Sequence, residues 1–381
     1  MTRILITGAR APVALDLARS FRSAGCDVAL ADSVRPFAAS LSRPRFEILR
    51  LPPPRRLFPA FRARLRALAG RFDLIVPTCE EVFWLAAAAR LDGWAGRLFA
   101  PSIESLRALH SKASFPALAL EAGVEAPATW AIASAADAAL VPLAPADLVL
   151  KPEFSRFGSK TIVGPQAGFA SALAASPDRR WVAQERLEGE ELCVWSAIRG
   201  GTLVACIVYR PALRHGRSAA YAFEAADSPP AVEMARRIAA HVGGGGQLSF
   251  DVIVRPDGRV APIECNPRTV SGVHLVDGAA ALAHAILGQG ELPPPPAGTM
   301  RYLSPAMALM GAPAALAGGK LGQLRSVWRK GRDSVGKPGD RLPVAGVLLD
   351  AARFALMGAA RLQGPTSETT DDIEWNGEAF E

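Results

Sequence analysis

The run Phe250 to Val254, followed by Arg255-Pro256-Asp257-Gly258-Arg259 and then by Val260 to Arg268, constrains the fold of this chain more than any other stretch. Alternating apolar residues flank a Pro-Asp-Gly turn, which is the pattern of a β-hairpin. A four-residue connection sets Asp251 directly opposite Glu264, with the two carboxylates about 5 Å apart. Asn266 lies two residues beyond Glu264, so strand alternation carries its side-chain oxygen to the same face. Facing carboxylates repel unless a cation lies between them. A few hard oxygen ligands that leave room for water and phosphate oxygens suit Mg²⁺ rather than Zn²⁺. Taken alone, the hairpin is also readable, though less readily, as a solvated surface turn carrying ordinary charges.

Residues upstream supply matching chemistry. Val149-Leu150-Lys151-Pro152 ends an apolar strand in a lysine, and Glu153 to Thr161 follows as a polar loop containing Gly158. Small residues let backbone N–H groups approach an anion, and a strand-end lysine is a point charge for phosphate oxygens. Ser155 and Ser159 add hydroxyls for a phosphate, or else satisfy turn backbone. Trp181 to Gln184 reads as a further short strand, and Glu185 to Glu191 joins it to the strand pattern that resumes at Leu192.

With these segments in order, the chain resembles the ATP-grasp superfamily. The resemblance rests on Lys112 within His110 to Phe115, on Lys151-Pro152, on Gln184 to Glu191, on Asp251 and on Glu264-Cys265-Asn266-Pro267-Arg268. The chain is most similar to the carboxylate-amine ligase branch, and Glu264 to Gly272 looks like the carbamoyl-phosphate-synthase-like members. The resemblance implies a fold of mixed α/β and α+β class. A Rossmann-like pre-ATP-grasp lobe spans 1–104, and an ATP-grasp domain of two sub-lobes spans 105–295 with its hinge near 184–191. A helical C-terminal extension with an acidic tail spans 296–381.

The same resemblance implies roles residue by residue. Lys112 and Lys151 hold the ATP phosphates, with Ser155 and Ser159 in the phosphate loop. Gln184 and the backbone around Arg186 and Leu187 meet the adenine edge, and Glu191, preferred to Glu190, bonds the ribose hydroxyls. Asp251, Glu264 and Asn266 ligate one or two Mg²⁺ ions, for which Mn²⁺ substitutes. Arg268 stabilises charge on the transferred phosphoryl group, as Lys151 does. The loop departs from the commonest family pattern at Arg156 and Phe157, where smaller residues are usual.

The N-terminal region alternates strand and helix: Arg3 to Thr7, a helix near Ala11 to Ala24, Asp27 to Asp32, and a strand over Asp73 to Pro77. This is a βαβ start to a parallel sheet. The first turn, Gly8-Ala9-Arg10-Ala11, lacks GxGxxG, so a dinucleotide site is unsupported despite Asp32. Thr78, Glu80 and Glu81 fall where the strands end, the edge at which open α/β sheets bind ligands, and are candidates for the acceptor-substrate site. Between the hinge and the hairpin, Tyr209 to Ser218 is a basic turn. Arg210 is preferred over Arg214, His215 and Arg217 as a cation for a carboxylate or phosphate. Gly243 to Gly246 read as the end of a helix.

At 381 residues, half of them apolar, the chain has material for two or three packed domains. No run reads as a transmembrane helix and the start reads as strand and turn rather than a signal peptide, so the expected location is cytoplasmic. Cys26, Cys79, Cys193, Cys206 and Cys265 are dispersed without CxxC spacing and read as reduced core thiols. The net charge of +7 comes from scattered arginines, so neither nucleic acid nor a membrane is an expected partner. Val344 to Leu362 reads as a helix that could touch a membrane surface, with packing on the main body or on a second subunit preferred, which leaves a homo-oligomer open. The acidic stretch Glu368 to Glu374, with Trp375 after it, is read as disordered or as folded back on the basic surface.

The expected activity is that of an ATP-dependent ligase that activates a small-molecule carboxylate as an acyl phosphate and couples it to an amine. The alternatives are a phosphotransferase or carbamoyl-phosphate-type enzyme, a non-catalytic ATP-binding regulatory module and a nicotinamide-dependent reductase, the last disfavoured by the missing glycine fingerprint. Neither the acceptor nor the amine is identified by sequence, because acceptor pockets are built from variable loops.

Overall fold

A computed structural model of the chain describes every residue except 157–159, 170–172, 174, 177–178, 215–219, 277, 362–367 and 381. Arg3–Thr7 (β1), Pro12–Ser23 (α1), Asp27–Asp32 (β2), Phe37–Leu41 (α2), Glu47–Arg50 (β3), Phe58–Ala69 (α3), Leu74–Val76 (β4) and Glu81–Asp92 (α4) alternate along the chain. Their strands form a parallel sheet in the order β3-β2-β1-β4. Helices cover both faces, so Ile4, Leu5 and Ile6 are all buried and β1 is an unbroken apolar run. Proline opens α1, where its missing N–H forfeits no helical bond, and Val13, Leu17 and Phe21 pack its inner side.

Ile103–His110 (α5) and Phe115–Glu121 (α6) lead to a small antiparallel sheet of Thr129–Ile132 (β5), Leu148–Pro152 (β6), Ile162–Val163 (β7) and Trp181–Glu185 (β8), with Ala135–Ala139 (α7) after β5. Its order is β5-β8-β6-β7. The larger sheet holds Glu190–Arg199 (β9), Thr202–Arg214 (β10), Ala220–Ala225 (β11), Gly245–Val254 (β12), Val260–Asn266 (β13), Met300–Tyr302 (β14) and Arg332–Asp333 (β15), in the order β13-β12-β9-β10-β11-β14-β15. One face buries Leu192, Val194, Phe250 and Val252 beneath α6 and the helix Pro229–Val242. The other carries Trp195, Ile207 and Tyr209 in a core continuous with α1.

The hairpin forms with the expected partners by a different route. Val254 pairs with Val260, which leaves a five-residue connection, and a register shift between Asp251 and Val252 then brings Asp251 opposite Glu264. The bulge at Ile263 supplies the one-residue offset that a shorter turn would have given. The glycine run is also split. Gly243 follows the helix Pro229–Val242, whereas Gly245 and Gly246 begin β12 and pair with Arg199 and Ile198. Gly246 has φ +140° and packs so closely on Ala100 and Pro101 that a Cβ would fall within 2.7 Å of both.

The C-terminal helices, Ser304–Ala306, Ala312–Ala317, Leu321–Lys330 and Leu342–Ala360, lie beyond β14. The last is long and apolar enough to cross a membrane by length and composition, which the sequence reading did not anticipate because Asp350 and Arg353 interrupt the run. It packs sidelong on α2 of the main body. The acidic tail folds back onto the basic surface. Asp372 pairs with Arg10 at 2.6 Å, Asp371 and Glu374 pair with Arg56 and Arg55, and Trp375 is buried against Phe83 and Phe154 at ring separations of 5.0 and 5.2 Å.

Candidate active site

Five segments distant in sequence converge at one end of the two antiparallel sheets. Lys112 follows α5, Lys151 ends β6, Gln184 lies on β8, Asp251 is on β12, and Glu264 with Asn266 is on β13. Both lysines are buried, against the ordinary habit of that side chain, so each needs a partner. Lys112 Nζ sits 3.4 Å from Glu264 Oε1 and donates to the Ser155 carbonyl at 3.2 Å. Lys151 Nζ donates to Gln184 Oε1 at 2.9 Å and to the Ile263 carbonyl at 3.4 Å. The Ile263 bulge therefore sets the carboxylate register and also turns a carbonyl toward Lys151.

Lys112 is held by its neighbours. Ser111 Oγ donates to Glu153 Oε1 at 2.5 Å and accepts the N–H groups of Ala113 and Ser114, while the Lys112 N–H donates to the Glu153 carbonyl. Arg180 closes on the other Glu153 oxygen at 2.8 Å. Glu153, buried after β6, is thus the joint between the loop beyond α5 and the end of β6. Sequence reasoning passed over it because a loop carboxylate carries no pattern of its own.

Across the large sheet, Tyr209, Cys193, Asp251 and Glu264 fall in one transverse row of paired positions. Cys193 Sγ–H donates to Asp251 Oδ1 at 3.4 Å. Burial, then the charge of Glu264, push the Asp251 carboxyl up to about 6. Burial acts on Glu264 in the same direction, but Lys112 and Lys151 outweigh it and hold that carboxyl below the usual range. Burial also lowers Lys151 to about 8, against the pull of Glu264. Asn266 Nδ2 donates to Glu264 Oε1 at 3.4 Å, and its Oδ1 accepts from Arg268 at 3.3 Å.

Among the described residues no three His, Cys, Asp or Glu side chains could together hold a metal ion. The residues nonetheless fit Mg²⁺. Two facing carboxylates and a carboxamide are a hard oxygen set, and this ion is commonly held by one or two carboxylates while phosphate and water complete its shell. The repulsion that raises Asp251 is what a cation between the pair would relieve.

Several expected residues occupy other surroundings. Arg210 lies next to Tyr209 on β10, so alternation turns it to the opposite face from Asp251; it pairs with Glu190 at 2.9 Å and Glu224 at 3.6 Å. The structure does not bring it to the cluster. Glu191 makes a two-point pair with Arg214, at 2.5 and 2.8 Å. Gln184 spends its carboxamide on Lys151, Thr129 and the Ile263 carbonyl. The Arg186 N–H donates to the Asp147 carbonyl at 2.8 Å, and Leu187 is half-buried beside it. Ser155 Oγ donates to the Pro152 carbonyl at 3.3 Å, the turn-satisfying option. Ser159 and Phe157, like His215 and Arg217, lie outside the described residues. At the hinge, Gly189 has φ +149° and a Cβ there would meet the Val254 carbonyl at 2.2 Å, so only glycine fits.

At the C-terminal edge of the parallel sheet, Thr78 donates to the Thr7 carbonyl, and Glu81 accepts from Thr7 Oγ1 at 2.7 Å and from the Thr78 N–H at 3.1 Å. These two side chains bind β1 to β4 rather than face a ligand. Glu80 differs. It is buried between Arg156 and Arg268, the latter at 3.3 Å, and these cations overcome burial to hold it down at about 2. Arg156 also bonds Glu374, the Trp375 carbonyl and Asn376 at 3.1, 2.7 and 3.0 Å. The residue that departs from the family loop pattern is thus the one that anchors the tail. His110 is enclosed between Phe83 and Phe154, its ring nitrogens lack hydrogen-bond partners among the described residues, and burial lowers it to about 3.

No protein-family model matches the chain, and no curated protein matches it by sequence. Solved structures do match. N5-carboxyaminoimidazole synthetase from Staphylococcus aureus complexed with ADP aligns at TM-score 0.64 and 12% identity, over 83% of this chain and 86% of that one. Phosphoribosylamine–glycine ligase from Thermotoga maritima aligns at 0.60 and 14%, over 78% of each. L-amino acid ligase from Bacillus licheniformis aligns at 0.56 and 14%, over 75% and 74%. The chain has the ATP-grasp fold.

Proposed function

We propose that this protein is an ATP-dependent ligase that activates a substrate carboxylate as an acyl phosphate and couples it to an amine, releasing ADP and phosphate. The observation that carries this reading is the buried convergence of Lys112 and Lys151 on the Asp251–Glu264 pair. Two ammonium groups held beside two carboxylates form an alternating charge field suited to the phosphates of a metal-bound nucleotide. That three of the neighbours are by name synthetases or ligases, one of them complexed with ADP, supports it.

In this reading residues 1–104 form the pre-ATP-grasp lobe, 105–295 the nucleotide-binding domain and 296–381 the extension. Lys112 and Lys151 hold phosphates, with Ser155 and Ser159 in the covering loop. Gln184 and the backbone of Arg186 and Leu187 flank adenine, and Glu191 reaches the ribose by exchanging Arg214 for hydroxyls. Asp251, Glu264 and Asn266 hold Mg²⁺, which when bound offsets charge on the phosphate oxygens. Arg268, shared between Glu80 and Asn266, steadies the phosphoryl group as it moves onto the acceptor carboxylate. A free carboxylate is a poor electrophile, and phosphorylation supplies the leaving group that an amine then displaces.

The test is ADP release with Mg-ATP against pooled carboxylates, each pool with and without pooled amines, and with Glu264→Gln as control. Release that requires both pools and disappears in the variant is the expected result. Release that requires only a carboxylate pool points instead to phosphotransfer, and ATP binding without release under any pool points to a regulatory module.

A further inference from the structure

The C-terminal helices expose what other helices bury. Nine of the fifteen large apolar side chains that the described residues expose lie between Ser304 and Ala360. On Leu342–Ala360 the outward positions are Leu342, Leu348, Leu349 and Leu356 with alanines between them, recurring at helical spacing and without a charge. The inward face carries the helix's two charges, beside Phe354 and Val347. Asp350 accepts the N–H groups of Phe37 and Ala38 at 3.2 and 3.1 Å, capping α2, and Arg353 bonds Asp350 at 2.8 Å and the Arg35 carbonyl at 2.5 Å. A Cβ on Gly346 would meet Ala38 at 2.5 Å. The helix is therefore held against the body, with both its charges bonded inward, and is not free to thread a bilayer.

Neighbouring helices expose apolar side chains as well. Ser304–Ala306 packs against it and runs directly into Met307–Gly311 and Ala312–Ala317, which expose Leu309, Met310 and, at 67%, Leu316. Leu321–Lys330 then exposes Trp328 at 55%, with Arg325, Arg329 and Lys330 about it. Every acid between Ser304 and Arg361 is turned to an internal partner. Asp333 caps Ser304, Asp340 bonds Arg19 and Ser42, and Asp350 caps α2. The outward surface of this region is thus apolar and cationic, with no exposed carboxylate.

We propose that this face docks on an anionic lipid bilayer, lying in its interface with the apolar side chains among the acyl chains and the lysines and arginines at the headgroups. Apolar area combined with basic charge is the two-part signal for binding such a surface. A second copy of the chain fits less well. A two-fold interface would set the same cations against one another with no acid to offset them. The proposal is independent of the reaction catalysed, and departs from the sequence expectation of no membrane partner because outward orientation, not composition, carries it.

The test is co-sedimentation of the full chain with phosphatidylcholine vesicles and with vesicles that also contain phosphatidylserine. Binding is expected only to the second, weakening as salt rises. Replacing Lys320, Arg325, Arg329 and Lys330 together by Gln should weaken it by roughly fivefold for each charge. The triple variant Leu348→Ser, Leu349→Ser, Leu356→Ser should lose it while its circular-dichroism melting curve stays cooperative and shifts by only a few degrees, since those side chains are 40–72% exposed. Equal binding to both vesicles, or to neither, overturns the proposal. So does a concentration-dependent doubling of mass that the leucine variant abolishes, because the face would then join two copies.

Discussion

Replacing Glu80 by Gln tests whether the carboxylate beneath the acceptor edge is an electrostatic keystone. The side chain is 1% exposed and lies between Arg156 from the loop after β6 and Arg268 from the end of β13, so one charge ties the parallel sheet to both antiparallel sheets. Moving its carboxyl from the ordinary glutamate range to about 2 corresponds to about 3 kcal/mol of folded-state stabilisation. Direct removal takes the central carboxylate from the buried Arg156 and the half-buried Arg268, which costs about 3–5 kcal/mol in comparable buried pairs. The folded value lies below the unfolded one, so the stabilisation is complete above about pH 5 and is lost as pH falls toward 2. Glu80→Gln should therefore lower the melting temperature at pH 7 by roughly 4–6 °C. In an Arg156→Met background much of that penalty should vanish, because the more buried of its two partners is already gone and only Arg268 remains. A Glu80→Gln protein as stable as the parent at pH 7, or an equal loss in both backgrounds, would refute the argument.

Asp251→Asn should have the opposite effect on the metal-free protein. Asp251 is raised to about 6, so its charge destabilises the fold above that pH, and the variant should gain about 2–3 kcal/mol in urea unfolding at pH 7 while losing Mg-dependent ADP release. Lys151 is lowered to about 8, so phosphate binding, which favours its charged form, should draw in a proton between about pH 8 and 9.5; calorimetry in two buffers of different ionisation heat should detect this uptake in the parent and not in Lys151→Met. Trp375→Ala should cost about 3–5 kcal/mol through the lost contacts with Phe83 and Phe154. Limited proteolysis should then cut the tail near Asp371 sooner than in the parent. Gly189→Ala should fail to accumulate as folded protein, since no side chain fits against the Val254 carbonyl.

Local pattern alone specified much of this protein. Alternation around Pro256-Asp257-Gly258 sufficed for the hairpin, but not for its register: the five-residue connection would set Asp251 opposite Ile263, and only the bulge there returns it to Glu264. The βαβ start was equally legible, since an unbroken apolar strand before an amphipathic helix has few other outcomes. The convergence of Lys112, Lys151 and the carboxylate pair was available only through a family likeness, because segments so far apart meet by packing of two sheets and not by spacing. Tertiary structure alone decided that Arg210 turns away from the pair and that Arg156 receives the acidic tail. It also decided that the leucines of Leu342–Ala360 face outward. Each depends on which face a neighbouring element covers. A periodic apolar stripe has the same sequence whether it meets the core or a membrane, and here the inward cap from Asp350 to α2 sets which way the helix turns.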